Sequence, residues 1–450
     1  MTLRASRSAI NRHWKILCDQ IGHRSAGSAG EQQAADYIES RLRRLGLDDV
    51  GQLAFDFPNW TSSHCSLKVS SPGNKRRARR ISSARARVYG VSTSGSTTSG
   101  DSVRGPLVYL QAGLPLDFEQ PLQGKIGLLI GAFAMADKQV QQRVLRSGLQ
   151  ALISVDTRAP FDWPTSIGAG PQWVEGFDLP SAGVSYFDAI QLVEQLPLSA
   201  ELAIRARCFP AVSHNVVGQI TGHQRPDEVI VVSGHHDCVE ENVGADDNGS
   251  GVIFVLELAR ILARCRLRRS VRFISYGVEE RLSAGSYLYM RSLSRPQQRQ
   301  IVLAVNADTI SSTVGTDQVR VTGMPALEKL VNRVWQVRKH PAEIRARIHA
   351  YSDHFPLNIA GVPSVSLGRT SIEGGANWQL HSPHDTTEHV SAAVLARTID
   401  TSAELLMRVA NSPKLPFARR IEAGLARDVA SIARDVYRHP WSPDQFDYDR

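Results

Sequence analysis

Along the first fifty residues, apolar side chains recur at helical spacing. Glu31, Ala34, Ala35, Ile38, Leu42 and Leu45 trace an apolar face with one polar member that stops at Gly46, within a stretch, 9–48, that reads as helical throughout. Residues 51–70 alternate apolar and polar, which predicts strands. From about 103 to 210 the pattern shifts to short strands and turns. GKIGLLIGAF (124–133) and ALISV (151–155) read as buried strands, 140–148 reads as a helix, and LPSAGVS (179–185) leads into a helix at 187–195. Beyond 212, strands and helices alternate. VIVV (229–232) predicts a buried strand ending near Gly234, and Val252, Val255, Leu256, Ala259 and Leu262 predict the helix after it. Residues 271–277, 301–306 and 362–367 read as further buried strands, while 326–337 and 392–409 carry helical periodicity. Such alternation implies an α/β architecture with a mostly parallel sheet covered on both faces. One more amphipathic helix (Ile421, Leu425, Val429, Ile432, Val436) precedes a closing tail, HPWSPDQFDYDR.

Composition narrows the class. At 450 residues, two domains, or one with an insertion, are expected. Hydrophobic content of 42% against 21% charged supplies a real core. No apolar run reaches membrane-spanning length, so no membrane partner is expected. The opening residues, MTLRASRSAINRHWKIL, contain neither a continuous apolar stretch nor a small-residue cleavage site, and a cytoplasmic location is the expectation. The cysteines (Cys18, Cys65, Cys208, Cys238, Cys265) are scattered and unpaired in sequence, which argues against a disulfide framework and a thiolate zinc site. Much of the net charge of +8 sits in the run KRRARRISSARAR at 75–87. No aromatic residue interleaves it, so it reads as a solvated loop and no nucleic-acid partner is expected. The low-complexity stretch GVSTSGSTTSG (90–100) then reads as a boundary or linker.

The chemistry collects after the strands of the second half. His235-His236-Asp237 ends the first of them, and Asp246-Asp247-Asn248 precedes the following helix. Glu279-Glu280 follows VRFISYG, Asp308 follows IVLAVN, and His381 sits in LHSPHDT. Taken singly, an aspartate or histidine after a strand is ordinarily a cap or turn residue, and two glutamates ordinarily start a helix. Together they carry more, because parallel strands that each precede such a group end at one edge. Imidazole nitrogen and carboxylate oxygen without thiolate suit Zn²⁺ in an open catalytic site. One shared carboxylate, with a further carboxylate and a histidine on each side, would hold two ions.

The order HxD, GADDNxSG, EE followed by GS, NxD and HSPxDT resembles the zinc aminopeptidases of the bacterial leucyl aminopeptidase and aminopeptidase Y type. RSAGSAGEQQAADYIESRLRRLGL (24–47) is similar to that family's opening helix, and SDHFPLNIAGVPSVSL (352–367) to its late strand. The resemblance implies a three-layer α/β sandwich on a mostly parallel mixed sheet, the zinc exopeptidase fold. Its catalytic domain would comprise 1–88 and 212–412, with a C-terminal helix and tail at 413–450. The block 89–211 resembles a small β-rich protease-associated domain inserted into several peptidases.

The resemblance also implies two Zn²⁺ per chain and a peptide substrate. His235, Asp247 and Asp308 would bind one ion, and Asp247, Glu280 and His381 the other, with Asp247 bridging. Glu279 would be the general base, and Asp237 would accept the ring N–H of His235. Asp246 and His236 would be neighbours without a ligand role. The implied activity is hydrolysis of N-terminal residues from peptides through a zinc-bridging water. A carboxypeptidase or dipeptidase of the same fold, or a non-catalytic peptide-binding module, are the alternatives. The carboxypeptidase G type has its bridging aspartate much further from HxD than the ten positions between Asp237 and Asp247. A glutaminyl cyclase relative would keep one zinc, and a binding module would have lost a ligand or the base, yet none is missing. Ala307, Arg281 and the loop IEGGANWQL (372–380) depart from the family pattern and leave substrate specificity open.

Overall fold

The computed structural model describes residues 4–71, 83–84, 86–88, 102–130, 138–155, 161–164, 177–371 and 377–437. Apart from the strand pieces Ser83–Ala84 and Ala86–Val88, the basic run lies outside these residues. So do the stretch 90–100, residues 131–133, the start of the 372–380 loop and the closing tail. The chain divides into two compact units, one chiefly of Met1–Phe57 and Val212–Ala433, the other chiefly of Pro58–Ala211.

The first unit is built on a mixed sheet. Its strands run in the order Glu343–Ala346, Thr316–Thr322, Ser364–Thr370, Ile301–Ala307, Arg225–His235, Arg269–Tyr276 and the end of Leu198–Ile220. Arg225–His235 is parallel to both neighbours, with Val232 opposite Phe273 on one side and Val305 on the other. Ile301–Ala307 is in turn parallel to Ser364–Thr370. Antiparallel pairings toward the two sides make the sheet mixed. Ile230 and Val232 belong to the main core, and Val229 and Val231, alternating with them, are buried as well. Burial on both faces explains why this strand is uniformly apolar.

The helix Gly249–Leu262 is buried at every residue except Arg260, as suits a helix that is apolar nearly all round. It packs against Arg7–Trp14, Ala29–Arg44 and Ala392–Asn411. The stretch read as one helical region is interrupted. Arg7–Trp14 runs on as a π-helical segment, Lys15–Ile21, which ends at Gly22 with φ +77°. Ser28 then caps Ala29–Arg44, its hydroxyl accepting from the Glu31 N–H at 3.2 Å. Glu31, Ala34, Ala35, Ile38 and Leu42 are buried, as the spacing predicts.

In the second unit Val103–Tyr109, Ile126–Ile130, Ala151–Val155 and Ser181–Val184 are successively parallel. The helix Lys138–Arg146 connects two of them, and Tyr186–Glu194 follows the last. Leu107, Ile126, Leu128, Ile153, Leu192 and Leu202 contribute to a separate core. Among the described residues, no helix is long and apolar enough to cross a membrane.

Candidate metal centre

Three adjacent parallel strands deliver the donors to one edge. His235 is the last residue of Arg225–His235, Glu279 and Glu280 follow Arg269–Tyr276, and Asp308 follows Ile301–Ala307. The start of Gly249–Leu262 is drawn against these strand ends because two glycines permit it. A Cβ on Gly234 would meet the Gly251 backbone at 2.8 Å, and one on Gly251 would meet the Ala307 carbonyl at 2.5 Å. Asn248 fastens the junction. Its Oδ1 accepts from the Gly251 N–H at 2.7 Å and its Nδ2 donates to the Ala307 carbonyl at 2.9 Å. Asp247, one residue earlier, is thereby held beside the strand that leads to Asp308.

The donors form two groups with one member in common. His235, Asp247 and Asp308 make the first, and Asp247, Glu280 and His381 the second; within each, one ligand atom per residue lies within 4.8 Å of the others. Asp247 turns Oδ1 to His235 Nε2 at 3.3 Å and Oδ2 to His381 Nε2 at 3.2 Å. Asp308 Oδ1 lies 3.6 Å from His235 Nε2, and Glu280 Oε2 lies 3.2 Å from His381 Nε2. Glu279 stands beside the first group, with Oε2 3.7 Å from His235 Nε2 and Oε1 accepting from the Ser283 hydroxyl at 3.0 Å. His236 joins neither group. Its Nδ1 lies 3.2 Å from the Ser275 hydroxyl, and its ring lines a cavity of about 220 Å³ with Glu31 and Ser213. Burial takes its pKa down to about 4, so it stays neutral.

The Asp237 side chain stands against the His235 ring. The closest acceptor for His235 Nδ1 is the Asp237 main-chain carbonyl at 3.2 Å, with the carboxylate at 3.4 Å. That carboxylate also receives the backbone N–H of Glu279 on Oδ1 (2.9 Å) and of Glu280 on Oδ2 (3.0 Å). Asp385 repeats the motif for the other aspartates, taking the N–H groups of Asp246 and Asp247 at 2.8 and 2.9 Å. Asp246 itself accepts from the backbone and hydroxyl of Ser311, both at 2.7 Å, and from Asn377 at 2.8 Å. Ser352 donates to Asp308 Oδ2 at 2.7 Å.

Two further supports come from the opening segment. Buried Arg24 donates to the carbonyls of His236, Val243 and Gly244, at 2.8, 2.6 and 3.0 Å, and so fixes the loop between the first two motifs. Glu31 accepts from Gly27 N–H, the Ser213 hydroxyl and Val278 N–H. The sequence hint for Glu31 was its place as the single polar residue on an apolar face; Asp385 stood within the HSPHDT motif without an assigned role. Arg24 gave no such hint. Arg281 is buried and paired with Glu240, and Trp378 packs edge-on to His389 with ring centroids 4.7 Å apart.

The backbone here is held in sparsely populated conformations. Val278, Leu282, Ser283, Thr309 and His381 all have φ between +51° and +66°. Each such residue costs on the order of 1–3 kcal/mol and persists only where its surroundings enforce it.

The electrostatics call for cations. Burial opposes the charged form of Asp247, yet His235 and His381 outweigh it and hold its carboxyl below the usual range. Burial, reinforced by Asp247, raises Glu280 to about 7. Burial also pushes Glu279 well above the carboxylate range, with His235 opposing and Asp308 reinforcing. Crowded carboxylates of this kind are satisfied by positive charge. Among the described residues, the buried atoms His235 Nε2 and Glu280 Oε1 have no hydrogen-bond partner. Mixed imidazole and carboxylate donors of this number fit Zn²⁺.

Fold and donor set together define a metallopeptidase: a mixed α/β sheet whose parallel strands end in two metal-type groups sharing a carboxylate. Residues 215–406 match the family model described as Peptidase family M28. Over that stretch the chain is similar to peptidase family M28. It is 26% identical over 433 residues to aminopeptidase YwaD of Bacillus subtilis (strain 168), covering 93% of this chain and 88% of that protein. It is also 26% identical over 404 residues to carboxypeptidase Q of Xenopus laevis, covering 84% and 81% respectively. Its fold is that of BSAP, a zinc aminopeptidase from Bacillus subtilis, with a TM-score of 0.73 at 22% identity, covering 93% of this chain and 100% of that one.

Proposed function

We propose that this protein is a two-zinc aminopeptidase that removes N-terminal residues from peptides, with Glu279 as general base. One observation carries the reading: Asp247 offers a separate oxygen to each of two histidines, at 3.3 and 3.2 Å. His235 and Asp308 would complete one zinc site with it, and Glu280 and His381 the other. When bound, the ions would supply Lewis acidity to the scissile carbonyl and lower the pKa of water.

The protein's own groups do the rest. Glu279 takes the proton of the attacking water and returns it to the leaving amine. Its neighbour Glu280 is committed as a ligand, which is why adjacent glutamates divide the work. Asp237 positions both through their amide N–H groups. Asp385 does the same for the loop that carries Asp247. Residues 89–211 are proposed in addition as a protease-associated module, on the sequence pattern of strands and helices.

The test has two parts. Glu279→Gln should retain about two zinc ions per chain by elemental analysis and lose nearly all turnover. Wild-type activity in that variant would remove Glu279 from the role. Free, N-acetylated and C-amidated dipeptides then distinguish which terminus is read. The similarity to carboxypeptidase Q, equal in identity to that with YwaD, favours a carboxypeptidase as the second reading. An aminopeptidase cleaves the amidated substrate and spares the acetylated one; the reverse selects the carboxypeptidase.

A further inference from the structure

A second cavity, of about 440 Å³, lies among Arg7–Trp14, Ala29–Arg44 and Gly249–Leu262. Glu257 in its wall lies eight residues along the helix from Gly249, about 12 Å at the helical rise, and none of the metal-type donors lines the cavity. Four arginines line it: Arg12, Arg41, Arg44 and Arg260. Arg260 is already neutralised, with Nε and Nη2 donating to the two oxygens of Glu257 at 2.7 and 2.8 Å. Arg12, Arg41 and Arg44 have no carboxylate partner among the described residues. Arg43, in the same helical turn, is paired with Glu39 at 2.6 Å. Three uncompensated guanidinium groups therefore surround one hollow.

Helix-end electrostatics do not explain the arrangement. Cations in the last turn of a helix are favoured, which accounts for Arg41 and Arg44 individually. Arg12 reaches the same cavity from a different helix, one that continues through seven further helical residues, Lys15–Ile21. All three act electrostatically on one phenol, that of Tyr37. The Tyr37 hydroxyl in turn lies 2.6 Å from His13 Nδ1. Ile16, Leu45 and Leu256 supply apolar wall, beside Ser6 and Ala9.

We propose that this cavity binds a small organic phosphate, with its phosphoryl group held by Arg12, Arg41 and Arg44 and its organic body against Ile16, Leu45 and Leu256. Three positive charges around one hollow match a phosphomonoester, which carries about −1.5 to −2 at neutral pH, better than a single carboxylate. Guanidinium forks suit its oxygens in bidentate geometry. The volume falls in the range of small-molecule sites, about 300–1,000 Å³, and exceeds what a bare ion needs.

Isothermal titration of the zinc-loaded full chain tests this with phenyl phosphate, inorganic phosphate and benzoate as probes. Phenyl phosphate should bind most tightly. Arg12→Gln and Arg41→Gln should each weaken it about tenfold while leaving peptidase kinetics unchanged. Arg41→Lys, which keeps the charge but loses the fork, should fall between. The unliganded thermal midpoint of each variant establishes that it is folded. Absence of binding at millimolar phenyl phosphate overturns the proposal. So does binding that survives the arginine substitutions and inhibits competitively, which places the anion at the metal centre, and so does equal affinity for benzoate.

Discussion

Replacing Asp237 with asparagine keeps the shape of the side chain and removes half of its function. The carboxylate accepts two backbone N–H groups, from Glu279 at 2.9 Å and Glu280 at 3.0 Å. A carboxamide has one oxygen, so in either orientation its NH₂ must face one of those donors. One charge-assisted hydrogen bond is lost, worth about 1.5–3 kcal/mol, and a poorly solvated N–H is left without an acceptor. The loss falls on a turn already held against its preference, since Val278, Leu282 and Ser283 all have positive φ. Released from one tether, the turn relaxes and carries Glu279 out of line. About 3 kcal/mol misdirected from positioning corresponds to roughly a hundredfold in rate. The assay is steady-state hydrolysis of leucine p-nitroanilide at saturating zinc, with metal content measured on the same sample. A fall in kcat with KM and zinc content near wild type is expected. A fully loaded Asp237→Asn enzyme with wild-type kcat would refute the positioning role.

Further outcomes follow from the same geometry. Asn248→Ala removes a helix cap and the tie to Ala307, and should destabilise the first unit by about 1–2 kcal/mol in urea unfolding while loosening zinc binding; unchanged unfolding and affinity would count against it. Removing metal with a chelator should abolish activity and lower the thermal midpoint, because Glu280, Asp247 and Asp308 lose their counter-charge; added zinc should restore both, and indifference to chelation would contradict the proposed centre. His13 has its pKa lowered to about 4 by burial, aided by Arg41, Arg12 and Arg260 and opposed by Glu257. The unfolded chain therefore takes up this proton first. His13 contributes stability that is complete above its ordinary value near 6.5 and is lost as pH falls toward 4, about 3 kcal/mol in all. His13→Gln should flatten that part of the acid dependence, and parallel losses in variant and wild type would exclude it.

What the sequence revealed, and what it hid, divides along physical lines. The strands leading to His235, Glu279-Glu280 and Asp308 were legible because burial on both faces makes them largely apolar, and the donors stand at or just beyond their ends. The helix after Asp247 was legible for the same reason. Thr316–Thr322 and Glu343–Ala346 were not anticipated; they lie toward the side of the sheet, and the second has no buried residue to mark it. The break at 22–28 was hidden because helical spacing resumes on either side of it. Among the site residues, those that would touch metal follow strand ends and could be collected from local pattern. Asp385, Ser352 and Arg24 act through contacts between distant segments, which no local periodicity encodes. Asp237 was found, but its hold on the amides of Glu279 and Glu280, more than forty positions away, was not.

Arg24 is separated by 220 residues from the Gly244 carbonyl it holds. During synthesis this arginine must wait until the loop after Arg225–His235 has been made. Closing so long a loop adds little entropy beyond that of a shorter one, so the delay imposes no large thermodynamic penalty. It does impose an order of events: the segment made first is locked only after the loop behind His235 exists. A chain lacking its opening segment would leave the His236 and Val243 carbonyls behind His235 without the guanidinium that answers them.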